Sequence, residues 1–152
     1  MFPRFAQNLH AFYKSRHVEL EELVHCVMCL ARGLEHVHAH GITHTDVKPN
    51  NVLVKGTGLA RVASEDFVKS LRELPLQLVI ADFGMAQLSD PEHRVLPSLV
   101  DMRTQSMKLC TLPYRAPDLL LGDRFFGSQV DIWSLGCVLG ELLPWQPALC
   151  GN

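Results

Sequence analysis

The chain lacks an excess of basic charge. Its 152 residues carry 14 Lys plus Arg against 16 Asp plus Glu, a net charge of −2, and no basic run reaches five residues. Sequence-independent DNA binding and docking on an anionic membrane both need basic excess, so neither nucleic acid nor membrane is an expected partner. Cysteine is scarce and odd in number: Cys26, Cys29, Cys110, Cys137 and Cys150 are irregularly spaced. That argues against a secreted disulfide scaffold and for a reducing compartment. Met1-Phe2-Pro3-Arg4 leads into no apolar stretch, so no secretory signal is expected. Long hydrophobic runs are missing too. The most apolar one, Ile132 to Trp145, is interrupted by Glu141 and is too short to span a bilayer comfortably. There are no internal repeats and no low-complexity tract. What is present is an apolar content of 47%, enough to exclude a disordered or collagen-like chain. The length suits one domain of roughly 100–200 residues. The expectation is a soluble intracellular protein.

Periodicity sets the coarse layout. Leu20, Leu23, Val24, Val27, Leu30, Ala31, Leu34 and Val37 recur at three- and four-residue steps and predict a helix over Val18 to His38 with one apolar stripe. Glu19, Glu21 and Glu22 suit its first turn, where the helix dipole favours negative charge, and Gly41 can take the left-handed conformation that ends it. A shorter helix is expected over Leu9 to Lys14. Val52-Leu53-Val54 and Leu78-Val79-Ile80 read as two paired strands. Lys55 to Gln77, between them, is far longer than the ~2–5 residues of a hairpin loop. Within that insertion, Ser64 can cap a helix in which Phe67, Val68, Leu71 and Leu74 share a face before Pro75. It reads as a surface excursion, with a docking helix as one use. Ser89 to Pro113 reads as a long irregular segment. Asp118 to Leu121 begins a short helix, and Asp131 to Leu143 is expected as a helix apolar nearly all round and central to the core.

Four patches carry chemistry. His44-Thr45-Asp46-Val47-Lys48-Pro49-Asn50-Asn51 precedes a strand and puts a base, a cation and a metal-binding amide in one loop. Asp82-Phe83-Gly84 follows the other strand, where a carboxylate beside a glycine can reach a hard cation from a tight turn. Thr111-Leu112-Pro113-Tyr114-Arg115-Ala116-Pro117-Asp118 and Asp131-Ile132-Trp133-Ser134-Leu135-Gly136 complete the set. Each has a plainer reading: Asp46 as a turn residue before Pro49, Asp82 as a cap, Asp131 as a helix cap, Trp133 and Gly136 as packing. Cys26-x-x-Cys29 has a zinc-like spacing without a second cysteine pair, and buried free thiols are the reading preferred. His36, His38, His40 and His44 are dense in sequence, but helix ends attract histidine, which weakens a metal reading.

Taken in order, the four patches resemble the C-terminal lobe of a eukaryotic protein kinase: the catalytic loop, the Asp-Phe-Gly motif, the Ala-Pro-Glu end of the activation segment, and the aspartate-led helix that follows. Thr111 to Gly122 with Asp131 to Leu143 is most similar to the cyclin-dependent-kinase-like Ser/Thr group. The resemblance implies a mainly α fold, a partial kinase C-lobe with a short β-hairpin at the catalytic loop and the Asp-Phe-Gly motif. It implies ATP and Mg²⁺ as cofactors, protein substrates, a possible regulatory protein subunit, and a cytoplasmic and/or nuclear address. Asp46 would orient the substrate hydroxyl or accept its proton, a contribution worth ~10²–10⁴-fold. Asn51 and Asp82 would hold Mg²⁺ ions that bridge the ATP phosphates. Lys48 would meet the γ-phosphate, and Thr111 would support Asp46 and Lys48, a pairing that favours Ser/Thr over Tyr substrates. Asp131 would accept backbone N–H groups of the catalytic loop. His44, Phe83 and Gly84 would support the site by packing and turn geometry.

The chain also departs from the family. No Gly-x-Gly-x-x-Gly occurs, Lys14 stands in the wrong place for the strand lysine, and the family's last helices find no counterpart. Residues 1–152 are therefore expected to be a partial kinase domain that lacks the N-lobe and last helices, with 55–77 inserted in it, and to be inactive in isolation. Thr45 stands where the family has an arginine that pairs with an activation-segment phosphate, so phosphorylation of Thr104 or Ser106 is not expected to act in the usual way. Asp118 replaces a glutamate, and Pro113 replaces an aromatic common in the group. These departures leave one rival, a pseudokinase-like interaction module without catalysis.

Overall fold

The computed structural model describes residues 7–14, 20–55, 77–90, 110–121 and 126–143. Strand β1 (Gln7–Asn8) runs into helix α1 (Leu9–Lys14), and the Asn8 carboxamide caps it by accepting the Ala11 N–H at 2.8 Å. Helix α2 (Leu20–Ala39) is the longest element, close to the stretch predicted by periodicity. Its buried face is Leu23, Cys26, Leu30 and Leu34, joined by Glu22 and His25. Two expected stripe members differ: Leu20 is 64% exposed and Ala31 is exposed, because the covered arc is narrower than the apolar arc. Glu22 stands in the first turn as expected and is fully buried there.

Gly41 ends α2 with φ +68°, where a Cβ would lie 3.3 Å from the Ser89 carbonyl oxygen. Strands β2 (Ile42–Thr43), β3 (Val52–Lys55), β4 (Gln77–Ile80) and β5 (Gln87–Leu88) follow. One sheet has the order β1-β3-β4, all antiparallel, with Val52 opposite Ile80 and Lys55 opposite Gln77. The other pairs β2 with β5, Ile42 opposite Leu88 and Thr43 opposite Gln87. Alternate residues of β3 face opposite ways, so Val52 and Val54 are buried while Lys55 is exposed. Helix α2 packs on β4, and Gly33 permits a close approach: a Cβ there would meet Ile80 Cδ1 at 3.1 Å. The expected helix at Ser64 to Leu74, the phosphorylatable Thr104 and Ser106, and Cys150 lie outside the described residues.

Two short helices close the described fold: α3 (Pro117–Leu120) and α4 (Gln129–Leu142). The main core joins Leu9, Phe12, Leu30, Leu34, Val47, Val52 and Val54 to Leu135, Val138 and Leu142 of α4. Each fully buried Leu or Val contributes about 1.5–3 kcal/mol. A second cluster gathers Cys110, Ala116, Leu119, Phe126 and Val130. Helix α4 is part of the core as expected, but only one arc of it is covered. Ile132 is 53% exposed, Trp133 is 48% exposed, and Gly136 is exposed with no atom within 4 Å of a built Cβ. Trp133 and Gly136 are therefore not the packing residues they were expected to be. Apolarity around the whole circumference could not indicate which arc is covered. No helix among the described residues is long and apolar enough to cross a membrane.

Candidate active site

The loop between β2 and β3 is held from beneath by α4. Thr43, His44, Thr45 and Asp46 are all buried, and a buried backbone N–H needs an acceptor. Asp131, at 0% exposure in the first turn of α4, supplies two: Oδ2 accepts the His44 N–H and Oδ1 accepts the Thr45 N–H, both at 2.8 Å. The carboxylate thus reaches across the fold instead of capping its own helix. His38 Nε2 lies 2.8 Å from the same Oδ2. Sequence reading grouped His38 with helix-end histidines and missed this bond, since 93 residues separate the partners and no local pattern links them. His44 is fully buried, with Nε2 3.0 Å from the Ala81 carbonyl oxygen and Nδ1 accepting the Asp46 N–H at 3.2 Å.

Above this base, Asp46 collects donors from three directions. Its Oδ1 accepts the Thr111 N–H at 3.0 Å and the Thr111 hydroxyl at 2.8 Å. Its Oδ2 accepts from Lys48 Nζ at 2.8 Å and from Asn51 Nδ2 at 3.0 Å. Lys48 Nζ also donates to Thr111 Oγ1 at 2.8 Å, and Asn51 Nδ2 to the Asp46 carbonyl oxygen at 2.9 Å. Asp46, Lys48, Asn51 and Thr111 therefore form one polar cluster. Asp82 lies just beyond β4, whose Ile80 pairs with Val52, and the Ala81 N–H before it donates to the Asn51 carbonyl oxygen at 2.8 Å. Its exposed carboxylate accepts the Gly84 N–H through Oδ1 at 3.3 Å, so the plain capping reading of Asp82 is also satisfied. Phe83 is 44% exposed among the described residues, although its ring meets His44 edge-on at 4.8 Å between centroids.

Among the described residues three non-glycine positions have positive φ: Thr45 at 64°, Asp82 at 65° and Cys110 at 64°. One adjoins Asp46 in the loop, one opens the Asp-Phe-Gly turn and one precedes Thr111. Such residues cost roughly 1–3 kcal/mol each and persist only where surrounding bonds over-determine them. Thr45 and Cys110 each adjoin a residue of the polar cluster, Asp46 and Thr111 respectively. A cavity of about 560 Å³ opens beside it, lined by His10, Lys48, Asn51, Thr111, Tyr114 and Glu141. The Tyr114 hydroxyl donates to Glu141 Oε2, and His10 Nδ1 lies 3.6 Å from Glu141 Oε1. Burial first, then the Glu141 hydrogen bond and charge, push the Tyr114 phenol well above its ordinary range.

Burial alone would raise the Asp46 pKa. The hydrogen bonds from Lys48 and Thr111, with the Lys48 charge, outweigh it and hold the carboxyl below its ordinary value. A depressed folded-state pKa contributes stability that is present above the unfolded value of about 3.9 and is lost as pH falls through the folded value. We expect acidification below the unfolded value and through the depressed folded one to erode this contribution. Asp46→Asn, which cannot titrate, should show a shallower acid limb. Urea unfolding at stepped pH measures it, and parallel limbs for the two proteins would refute the linkage.

Cys26 and Cys29, read as free thiols, are both free of a disulfide. Cys26 is buried with its Sγ 2.7 Å from the Tyr13 hydroxyl; Cys29 is half-buried with Sγ 3.3 Å from His25 Nε2. Among the described residues no three His, Cys, Asp or Glu side chains come together in a way that could hold a metal ion. Oxygen donors of another kind are present in the polar cluster. Asn51 spends its Nδ2 on Asp46, which leaves its amide oxygen as an acceptor, and Asp82 offers an exposed carboxylate one strand away. A hard cation takes such oxygens.

Comparison with known proteins identifies the family. The protein kinase domain family model matches residues 4–152, and the chain belongs to that family. Its relatives place it in the cyclin-dependent-kinase-like type of eukaryotic protein kinase domain. It is 38% identical over 133 residues to a probable serine/threonine-protein kinase of Arabidopsis thaliana, covering 87% of this chain and 19% of that protein. It is 36% identical to cyclin-dependent kinase 12 of Caenorhabditis elegans, covering 81% and 13%, and 33% identical to a probable CTD kinase subunit alpha homolog of Encephalitozoon cuniculi, covering 93% and 35%. A crystal structure of the yeast RNA Pol II CTD kinase complex superposes with a TM-score of 0.67 at 29% identity, covering 93% of this chain and 38% of that one. The chain thus spans about a third or less of the length of these curated relatives.

Proposed function

We propose that the protein is a serine/threonine kinase that transfers the γ-phosphate of ATP to hydroxyls of protein substrates, and that residues 1–152 contribute part of its catalytic domain. The observation that carries this is the Asp46 carboxylate, fixed by Lys48, Asn51 and Thr111 beside an open cavity. Asp46 orients the incoming hydroxyl and takes its proton, for which an ionised carboxylate at neutral pH is required. The depressed pKa of Asp46 keeps that form available. Lys48 and Thr111 hold Asp46 in one orientation, and Lys48 neutralises charge on the transferred group. Asn51 and Asp82 are the residues that would hold Mg²⁺. When bound, Mg²⁺ neutralises charge developing on the phosphate oxygens. Asp131, with His44, fixes the loop that carries Asp46. Phe83 and Gly84 shape the turn behind Asp82. Residues 55–77 are an insertion in the domain.

A regulatory subunit is part of the same reading, since one relative is named a cyclin-dependent kinase and another a kinase subunit. The setting is intracellular, cytoplasmic or nuclear. An interaction module without catalysis gains no support from a polar cluster in which Asp46, Lys48, Asn51 and Thr111 are all engaged. Transfer of radiolabelled phosphate from ATP to a Ser/Thr peptide by the full-length protein tests the proposal, with Asp82→Ala as the metal-site control. Transfer that is independent of Mg²⁺, or equal in the variant, overturns it.

A further inference from the structure

Thr45 is a β-branched residue at φ 64°, a conformation in which Gly, Asn or Asp would be less strained. It is held there by bonds at both ends. Its N–H goes to Asp131 Oδ1 at 2.8 Å, and its hydroxyl donates to the Met85 carbonyl oxygen at 2.6 Å. Met85 closes the 3-10 turn that starts at Phe83, so its carbonyl terminates the turn that Asp82 begins. Beyond Met85 the chain runs antiparallel to the segment before Thr45. Thr43 pairs with Gln87, the Thr43 and Ser89 hydroxyl oxygens are 2.6 Å apart, and the Ser89 N–H donates to the Gly41 carbonyl oxygen at 2.8 Å. Thr45 is where this neutral zipper meets the Asp131 anchor.

We propose that Thr45 is a positioning residue: its hydroxyl, through Met85, sets the Asp82 turn beside Asn51 and so fixes the spacing of the metal-holding oxygens. The proposal rests on the kinase reading above for its catalytic consequence, and on geometry alone for the clamp. Backbone angle is not what threonine supplies here, since glycine would adopt it more easily. The hydroxyl is what the position gains. The bond is buried and uncharged, so it needs no cation.

Thr45→Val keeps the branch and removes the hydroxyl; Thr45→Ser keeps the hydroxyl and removes the methyl. In the full-length protein, Thr45→Val is expected to speed amide exchange at Ala86 and Ser89 by about 2–10-fold, the value of one net hydrogen bond, while α4 amides are unchanged. The Mg²⁺ concentration giving half-maximal transfer should rise by a similar factor of about 2–10, with the peptide KM unmoved. Thr45→Ser should recover most of both losses. If Val matches the wild type in exchange, or if Val and Ser are equally impaired, the clamp is overturned. If exchange behaves as expected but Mg²⁺ dependence does not move, the positioning role is overturned. If the wild-type protein transfers no phosphate, the kinase reading falls instead, and the exchange data decide the clamp by themselves.

Discussion

Asp46→Asn is expected to reduce phosphoryl transfer by about 10²–10⁴-fold, the range typical of a positioned general base. The substitution preserves shape but not charge. In the native cluster Oδ2 faces two donors, Lys48 Nζ at 2.8 Å and Asn51 Nδ2 at 3.0 Å, while Oδ1 faces the two Thr111 donors. An amide puts NH2 on one side or the other. Either orientation sets a donor against donors, so one arm of the cluster must open. The lost charge also removes the attraction that holds Lys48. The fall should therefore appear in kcat, since on the proposed function Asp46 acts on the incoming hydroxyl. An accompanying stability change is to be measured by urea unfolding and kept separate from the kinetic effect. Undiminished kcat in a folded Asp46→Asn protein would remove Asp46 from the chemistry.

The sequence disclosed the parts of this fold whose information is local. Leu9 to Lys14 and the α2 stripe follow from side-chain period, and Gly41 marks the end of α2 because a left-handed turn favours glycine. The strand pair was readable from two β-branched runs, although 21 intervening residues gave no register. Which face of α4 is covered was not readable. Its apolar residues lie all round, and only the packing of Leu135, Val138 and Leu142 against the core selects an arc. The site shows the same division. Asp46, Lys48 and Asn51 stand together in one loop, so their juxtaposition is nearly sequential. Thr111 and Asp131 reach that loop from 65 and 87 residues away. Their places were open to reading through family resemblance alone. His38 and the Thr45 hydroxyl had neither route, because a histidine at a helix end and a threonine in a loop each have ordinary explanations.

Asp131→Ala is expected to destabilise the folded protein by about 3–5 kcal/mol, the range for breaking a buried, hydrogen-bonded charge. The carboxylate is fully buried and accepts the backbone N–H groups of His44 and Thr45, with His38 alongside. Alanine leaves both N–H groups inside without an acceptor, at about 1–3 kcal/mol each. It also releases Thr45, whose φ of 64° is sustained by that bond. Against a total stability of about 5–15 kcal/mol this is a large fraction, corresponding to a melting temperature lowered by roughly 10 °C. Asp131→Asn should cost less. Its oxygen can keep the Thr45 N–H while its NH2 donates to His38, so only the His44 N–H is orphaned, at about 1–3 kcal/mol. The order wild type, Asn, Ala in denaturant midpoint is therefore the expected result. Amide exchange adds a positional check, with His44 and Thr45 losing protection in the Ala variant and Thr45 alone keeping it in the Asn variant. An Ala variant within 1 kcal/mol of the wild type would show that these N–H groups have another acceptor, and that the loop bearing Asp46 is not anchored by α4.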